Sequence, residues 1–196
     1  FKYLFFIITF FIFTNAKSIE TNWSSGVESQ VRLISPMTKN NNEKEIYLGL
    51  EYKLEEGWKT YWQSPGEGGF PQEIDWTNSI NIETLKVEWP TPEHFEILGM
   101  KSIGYSNHVI FPLKVGLKDQ FKSSTILLDI NYLVCKDICI PGNAYLELNI
   151  PSGEGSLTKH SFIVERAISN LPQKNLELSF LKDSQIKAYS NDNLVS

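Results

Sequence analysis

Three observations predict a mainly β protein, a sandwich or barrel. Apolar and polar residues alternate in a series of short stretches divided by Gly, Pro, Asn and Asp, the period-2 signal of strands with one face on a core. Aromatic residues make up 13% of the chain, and they favour pleated, half-buried surfaces. No stretch before Ser156 repeats its apolar residues at helical spacing. That argues against a parallel α/β fold, and against a thioredoxin fold with its cysteines at a helix N-terminus.

The chain has 196 residues, of which 41% are hydrophobic, enough for one ordinary domain with a real core plus extra segments. The net charge is -5 and Lys and Arg are dispersed, which excludes a basic nucleic-acid surface. No GxSxG, P-loop or paired-carboxylate motif occurs. The chain starts at Phe1 rather than Met and stops at Ser196 inside a strand pattern. The expectation is a piece of a longer protein, with a membrane segment beyond Ser196.

Residues 1–16 read as a signal peptide. Lys2 precedes an apolar run from Leu4 to Phe13, and Thr14-Asn15-Ala16 supplies small residues near a cleavage point. Export implies an oxidising compartment where disulfides form. Residues 17–152 form the main domain. A polar arm, Ser18 to Ser29, carries Trp23, expected to dock on the domain. Gln30 to Ser35 is a short strand, and Glu45 to Leu54 alternates most cleanly. After the turn Glu55-Glu56-Gly57, Trp58 to Trp62 is extended. Ser64 to Pro71, S-P-G-E-G-G-F-P, reads as an irregular loop.

Ile74 to Ile82 reads as a turn between short extended pieces. Leu85, Val87 and Trp89 mark a strand that ends at Pro90-Thr91-Pro92-Glu93. Phe95 to Leu98 is extended and Gly99 to Asn107 a loop. Val109 to Val115 alternates, with Pro112 suggesting an edge or a bulge. Gly116 to Ser124 is a polar turn, Thr125 to Val134 a strand, and Ala144 to Ile150 closes the sheet. Residues 153–196 follow a different pattern: a short helix over Ser156 to Leu171 with Ser156 as N-cap, ended by Pro172. Strands through Leu176 to Phe180 and Ile186 to Ala188 then open a second, truncated domain.

The chemistry centres on Asn131 to Gly142, N-Y-L-V-C-K-D-I-C-I-P-G, which holds the two cysteines, Cys135 and Cys139. A turn between two strands brings positions four apart within disulfide reach. A bond closing so small a ring adds only about 2 kcal/mol by chain entropy, which points to a reversible dithiol; a local structural disulfide is the other reading. A zinc site is weaker, because His94, His108 and His160 are scattered. By parity Cys135 falls opposite to Ile126–Val134, with Asp129 and Asn131, so its thiol is expected on a wetter face, open to a partner. Leu127 and Leu133 share that face. Lys136 would favour a thiolate and Asp137 oppose it. The Ser64–Pro71 loop is either a plain connection or a lid, with Phe70 as an apolar cover.

Several stretches together carry a resemblance. They are G-W-K-T-Y-W-Q-S-P-G-E-G-G at Gly57 to Gly69, I-D-W at Ile74 to Trp76, V-E-W-P-T-P-E-H-F at Val87 to Phe95, G-Y at Gly104 to Tyr105, and Y-L-V-C-K-D-I-C-I-P at Tyr132 to Pro141. From about Trp23 to Ile150 the chain resembles the periplasmic N-terminal domain of bacterial thiol:disulfide interchange proteins of the DsbD/ScsB type. The resemblance implies an immunoglobulin-like β-sandwich in the periplasm, tethered to the inner membrane in the full protein. It implies a protein-disulfide reductase whose membrane-embedded carrier passes electrons to this domain and then to periplasmic thioredoxin-like or Dsb/Scs-type oxidoreductases, with cytochrome c biogenesis among the associated roles. Cys135 and Cys139 match the redox pair, which works with no cofactor beyond its own disulfide. Phe70, Tyr105, Lys136 and Asp137 are the candidate cap or partner contacts. The narrow C-K-D-I-C spacing fits the ScsB-like branch. In the DsbD branch the spacing is wider and a short loop caps the pair, so the role of Phe70 and the order of attack stay open.

Two other readings remain. Trp23, Trp58, Trp62, Trp76 and Trp89 could form a sugar- or peptide-binding platform on an exported sandwich with a purely structural disulfide. An assembly domain could use an open sheet edge marked by Pro112.

Overall fold

A computed structural model describes residues 19–172. Among the described residues the first sheet orders its strands β1 (Ser29–Ile34), β2 (Glu45–Leu54), β8 (His108–Leu117) and β5 (Ile82–Val87). The second orders β10 (Cys139–Ile150), β9 (Ser124–Cys135), β3 (Lys59–Gly66), β7 (Met100–Ser106) and β6 (Glu93–Ile97), with the short β4 (Glu73–Asp75) also on β9. The ladders are antiparallel. The result is an immunoglobulin-like β-sandwich. No helix among the described residues is long and apolar enough to cross a membrane.

Alternation builds the core. Leu48, Leu50 and Tyr52 of β2 and Phe111, Leu113 and Val115 of β8 face Ile126, Leu128, Ile130, Tyr132 and Val134 of β9, all buried. Phe111 meets Tyr52, Trp89 and Tyr105 edge-on at 5.4, 5.3 and 5.0 Å, the arrangement the ring quadrupoles favour. The five tryptophans are not gathered on one exposed face. Trp58 is in this core and Trp62, Trp76 and Trp89 pack against it. Trp23 lies under the Arg32 and Lys53 cations at 4.3 and 4.7 Å.

Three local expectations are corrected. β3 continues to Gly66, with its register against β7 interrupted between Tyr61 and Gly66. Residues 100–106 are a strand, not a loop, although Ser102, Gly104 and Ser106 give one face too little apolar signal. A side chain at Gly104 would collide with the Thr60 carbonyl, so close strand pairing requires glycine there. Pro112 lies in β8, a central strand. Its carbonyl accepts from Glu88 N at 2.8 Å, just past the end of β5, so the missing N–H falls where the neighbouring ladder runs out.

The helix α1 spans Ser161–Ser169, with His160 at the N-cap. Ser156 does not cap it: its N–H donates to Thr38 Oγ1, and its carbonyl accepts from Thr38 N. Val164 of α1 packs on Ile34 and Ile110, on the outer face of the first sheet. A Cβ at Gly49 would sit 2.9–3.1 Å from those three side chains, so glycine makes room for the helix. Residues 1–16 and the strands expected over 176–188 lie outside the described residues.

The N-terminal arm runs beside β1, donating from Thr21 N to Leu33 O and from Ser24 N to Val31 O. It is tied down by charge. Arg32 bonds Glu51 at 2.6 Å and Glu20 at 2.7 Å. His108 meets Glu51 at 2.8 Å, and His160 meets Glu20 at 2.7 Å. Burial alone would raise the Glu51 carboxyl. Hydrogen bonds from His108 and Arg32, with their charge, outweigh it and hold the group low. Burial lowers His160 despite the Glu20 carboxylate beside it.

Both depressed values make acid destabilising. Below the ordinary histidine value of 6.5 the unfolded chain takes up a proton that folded His160 resists. Below the ordinary carboxylate value of 4.5 the stability from ionised Glu51 is lost as pH falls through its folded value. Urea midpoints measured from pH 7.5 to 3.5 should therefore fall in two steps, with Glu51→Gln flattening the lower and His160→Gln the upper.

Candidate functional site

The register of β9 against β10 sets Cys135 directly opposite Cys139. Lys136-Asp137-Ile138 joins them in a tight loop closed by Lys136 N donating to Ile138 O at 3.0 Å. The Cα atoms are 4.1 Å apart and the two sulfurs are bonded. Cross-strand partners share a face of the sheet. This pair lies on the face turned away from the main core, as the parity of β9 requires.

That face is not wet at Cys135, and the expectation of a reachable thiol there is overturned. Cys135 is 0% exposed, whereas Cys139 is exposed. A second apolar cluster buries Cys135: Tyr61 of β3, Ile97 of β6 and Leu133 of β9, with Phe95 packed against them. The ring centroids of Tyr61 and Phe95 are 6.0 Å apart. Between β3 and β6 runs β7, which presents Ser102, Gly104 and Ser106 by pairing with Phe95, Tyr61 and Lys59. These small residues leave room for Phe95 to meet Tyr61. Thr60 Oγ1 donates to Leu133 O at 3.1 Å and fixes β3 to β9 beside the cysteine.

Tyr61, Phe95, Ile97 and Leu133 were not singled out as site residues by sequence reasoning. The available signal was Tyr61 between Trp58 and Trp62, since apolar residues on both parities mark a strand buried on both faces.

The other candidates are placed as follows. The loop after β3 folds onto β7, with Glu67 N donating to Lys101 O and Lys101 N to the Glu67 carboxylate, both at 2.9 Å. Gly69, at φ +89, lies so close to the Tyr61 ring that a Cβ would clash. The loop thus covers Tyr61, while Phe70 beside it is 43% exposed and outside the Cys135 cluster. Tyr105 is not available as a cap: it is buried in the main core and donates to Pro90 O at 2.8 Å. Lys136 folds back, its Nζ donating to Glu56 O at 3.1 Å and its stem over Gly57. Asp137 and Ile138 are exposed at the tip. Burial pushes the Tyr61 phenol up, so it stays neutral at physiological pH.

The arrangement offers an asymmetric disulfide. Cys139 is open to solvent, the side from which an attacking thiolate can arrive. Cys135 is sealed in an apolar pocket and can only be displaced. Thiol–disulfide exchange needs an accessible sulfur for the attacking thiolate and a leaving sulfur behind it, and the pair supplies both.

A family model described as "Thiol:disulfide interchange protein DsbD, N-terminal" matches residues 28–151. No curated protein matches the chain. Among solved structures, the N-terminal periplasmic domain of ScsB from Proteus mirabilis aligns with a TM-score of 0.67 and 26% identity, over 81% of this chain and 62% of that chain. The N-terminal domain of DsbD from Neisseria meningitidis, in the reduced form, aligns with a TM-score of 0.34 and 10% identity, over 72% of this chain and 90% of that chain. The chain therefore spans less than two thirds of the ScsB chain it matches.

If the aromatic cover is what seals Cys135, Tyr61→Ala should open it. The variant should lose about 3 kcal/mol, as large-to-small changes at buried aromatics do. In the reduced protein, mass spectrometry after iodoacetamide should show Cys135 labelled at a rate approaching that of Cys139. In the parent, Cys139 should be labelled far faster.

Proposed function

The chain belongs to the family of DsbD N-terminal domains of thiol:disulfide interchange proteins, and on that premise we propose that it passes electron pairs through Cys135 and Cys139 as the periplasmic module of a protein-disulfide reductase. The observation that carries this reading is the bonded pair with one cysteine exposed and one buried. In this reading all intermolecular chemistry goes through Cys139.

In the electron-donating direction, the Cys139 thiolate attacks a sulfur of the partner's disulfide. That bond breaks, and its electron pair leaves on the partner's other sulfur, which takes up a proton. A Cys139–partner mixed disulfide results. Cys135 gives up its proton and attacks Cys139, reforming the intramolecular bond and releasing the partner as a dithiol. Two electrons and two protons have moved to the partner. Because Cys135 lies directly across the ladder from Cys139, the resolving step needs little strand movement and its effective concentration is high.

The donor upstream is the membrane-embedded carrier of the same full-length protein, and the acceptors are periplasmic thioredoxin-like or Dsb/Scs-type oxidoreductases. The periplasmic location of the ScsB domain supports this placement. Exposed Ile138 at the tip and Phe70 on the nearby loop supply apolar surface for such an acceptor to rest on.

The test uses reduced single-cysteine variants with oxidised glutathione as the probe. Cys135→Ser should accumulate a glutathione adduct on Cys139, because no second thiol resolves it. Cys139→Ser should form adduct at least about tenfold more slowly, since the remaining sulfur is buried. Equal trapping by both variants would contradict the assignment.

A further inference from the structure

Register places a cation across the ladder from the buried sulfur. Lys59 of β3 is the direct antiparallel partner of Cys135 on β9. Partners share a face, with Cβ atoms about 5 Å apart. Lys59 therefore rises from the same surface as Cys135. Its Nζ lies 5.4 Å from the centroid of the Phe95 ring, and Phe95 packs against the cluster that encloses Cys135. The ring face attracts the ammonium group, and because β6 and β9 lie on opposite sides of β3, this contact leans the side chain over the apolar cover and away from Cys135 while the disulfide is closed. Lys59 is half-buried and makes no ion pair among the described residues.

We propose that Lys59 is a positioning residue for exchange: when the disulfide opens, its flexible side chain turns from Phe95 back across the ladder, and its ammonium group favours the thiolate that forms on Cys135. This rests on the exchange reading above and adds to it the group that makes a buried sulfur a competent leaving group. When a dithiol reduces the pair, its thiolate attacks Cys139 Sγ. The Cys139–Cys135 bond breaks, the dithiol–Cys139 bond forms, and the electron pair of the broken bond stays on Cys135 Sγ. The dithiol's second sulfur then displaces Cys139 and closes the reagent's own disulfide. The two sulfurs of the domain take protons from water as their acidities dictate.

The first of these steps makes an anion in an apolar pocket, which burial disfavours. A cation one strand away acts against that penalty and makes the leaving group better. The other charged groups around the pair are differently engaged. Glu93 of β6 accepts from Ser106 Oγ at 3.0 Å. Lys136 is held on the Glu56 carbonyl. Asp137, Glu55 and Glu56 are exposed to water, where their influence is screened. Tyr61 remains neutral.

The test is an ultraviolet thiolate titration of Cys135 in the full chain carrying Cys139→Ser. Adding Lys59→Met, which keeps an apolar stem over Phe95, should raise the titration midpoint by about one pH unit. Lys59→Arg should restore it to within a few tenths of a unit. Raising salt should lift the midpoint when Lys59 is present and leave the Met variant unmoved. In the two-cysteine chain, Lys59→Met should slow reduction by dithiothreitol about threefold. A midpoint that ignores both substitution and salt would overturn the proposal and leave Lys59 as a cover for Phe95, visible only in thermal stability. Failure of the exchange reading is separately visible: the two-cysteine chain would then resist dithiothreitol altogether, while the single-cysteine titration would still report on Lys59.

Discussion

The site depends on the one-residue register of β9. Five of its side chains, Ile126 through Val134 at every second position, are locked in the core between the sheets. A slip by one residue would turn all of them outward. That constraint sends Cys135 to the opposite face, and the hairpin then presents Cys139 straight across from it. The disulfide is thus formed by packing that has nothing to do with sulfur. Opening it need not disturb the core, because its two residues close the far end of a long ladder.

The second constraint is that β9 is buried on both faces at that end. Toward the core it shows Val134; away from it, Cys135 and Leu133 meet Tyr61 and Ile97. Sheets with one face on a core usually leave the other to water. Here Tyr61 of β3 and Phe95 and Ile97 of β6 cover a single sulfur, and the glycine-rich loop after β3 lies on Tyr61. The cover does not extend to Cys139. Partial coverage makes the two ends of a symmetric chemical bond unequal: one cysteine is open to solvent and the other is enclosed. The charged network at the outer face of the first sheet stands apart from this chemistry. It clamps the N-terminal arm and the residues leading into α1 to the sandwich.

Much of this was legible in the residues. The alternation of Glu45 to Leu54 and of Thr125 to Val134 gave strands close to their observed bounds, and the Cys135–Cys139 hairpin followed from it. The parts that were not legible have specific causes. Gly104 reads as a loop residue because glycine usually marks turns, yet here it is demanded by strands too close for a side chain. Pro112 reads as an edge marker, but the ladder it interrupts ends beside it, a fact set by where β5 stops. Ser156 reads as a cap, but Thr38, distant in sequence, claims it. Parity correctly assigned the face of Cys135, but not its solvation, because the covering residues come from β3 and β6. Lys59 carried no local signal at all; its relation to Cys135 exists only once β3 is paired with β9.

The central claim is that the pair opens and closes reversibly within a folded domain. The most direct measurement equilibrates the full chain in glutathione buffers of graded ratio and quantifies free thiol at each after acid quenching. The account predicts a two-electron transition within the range those buffers span, the same from either direction, with far-ultraviolet circular dichroism unchanged across it. A bond that stays closed in the most reducing buffer, or opens only as the β signal is lost, would contradict it.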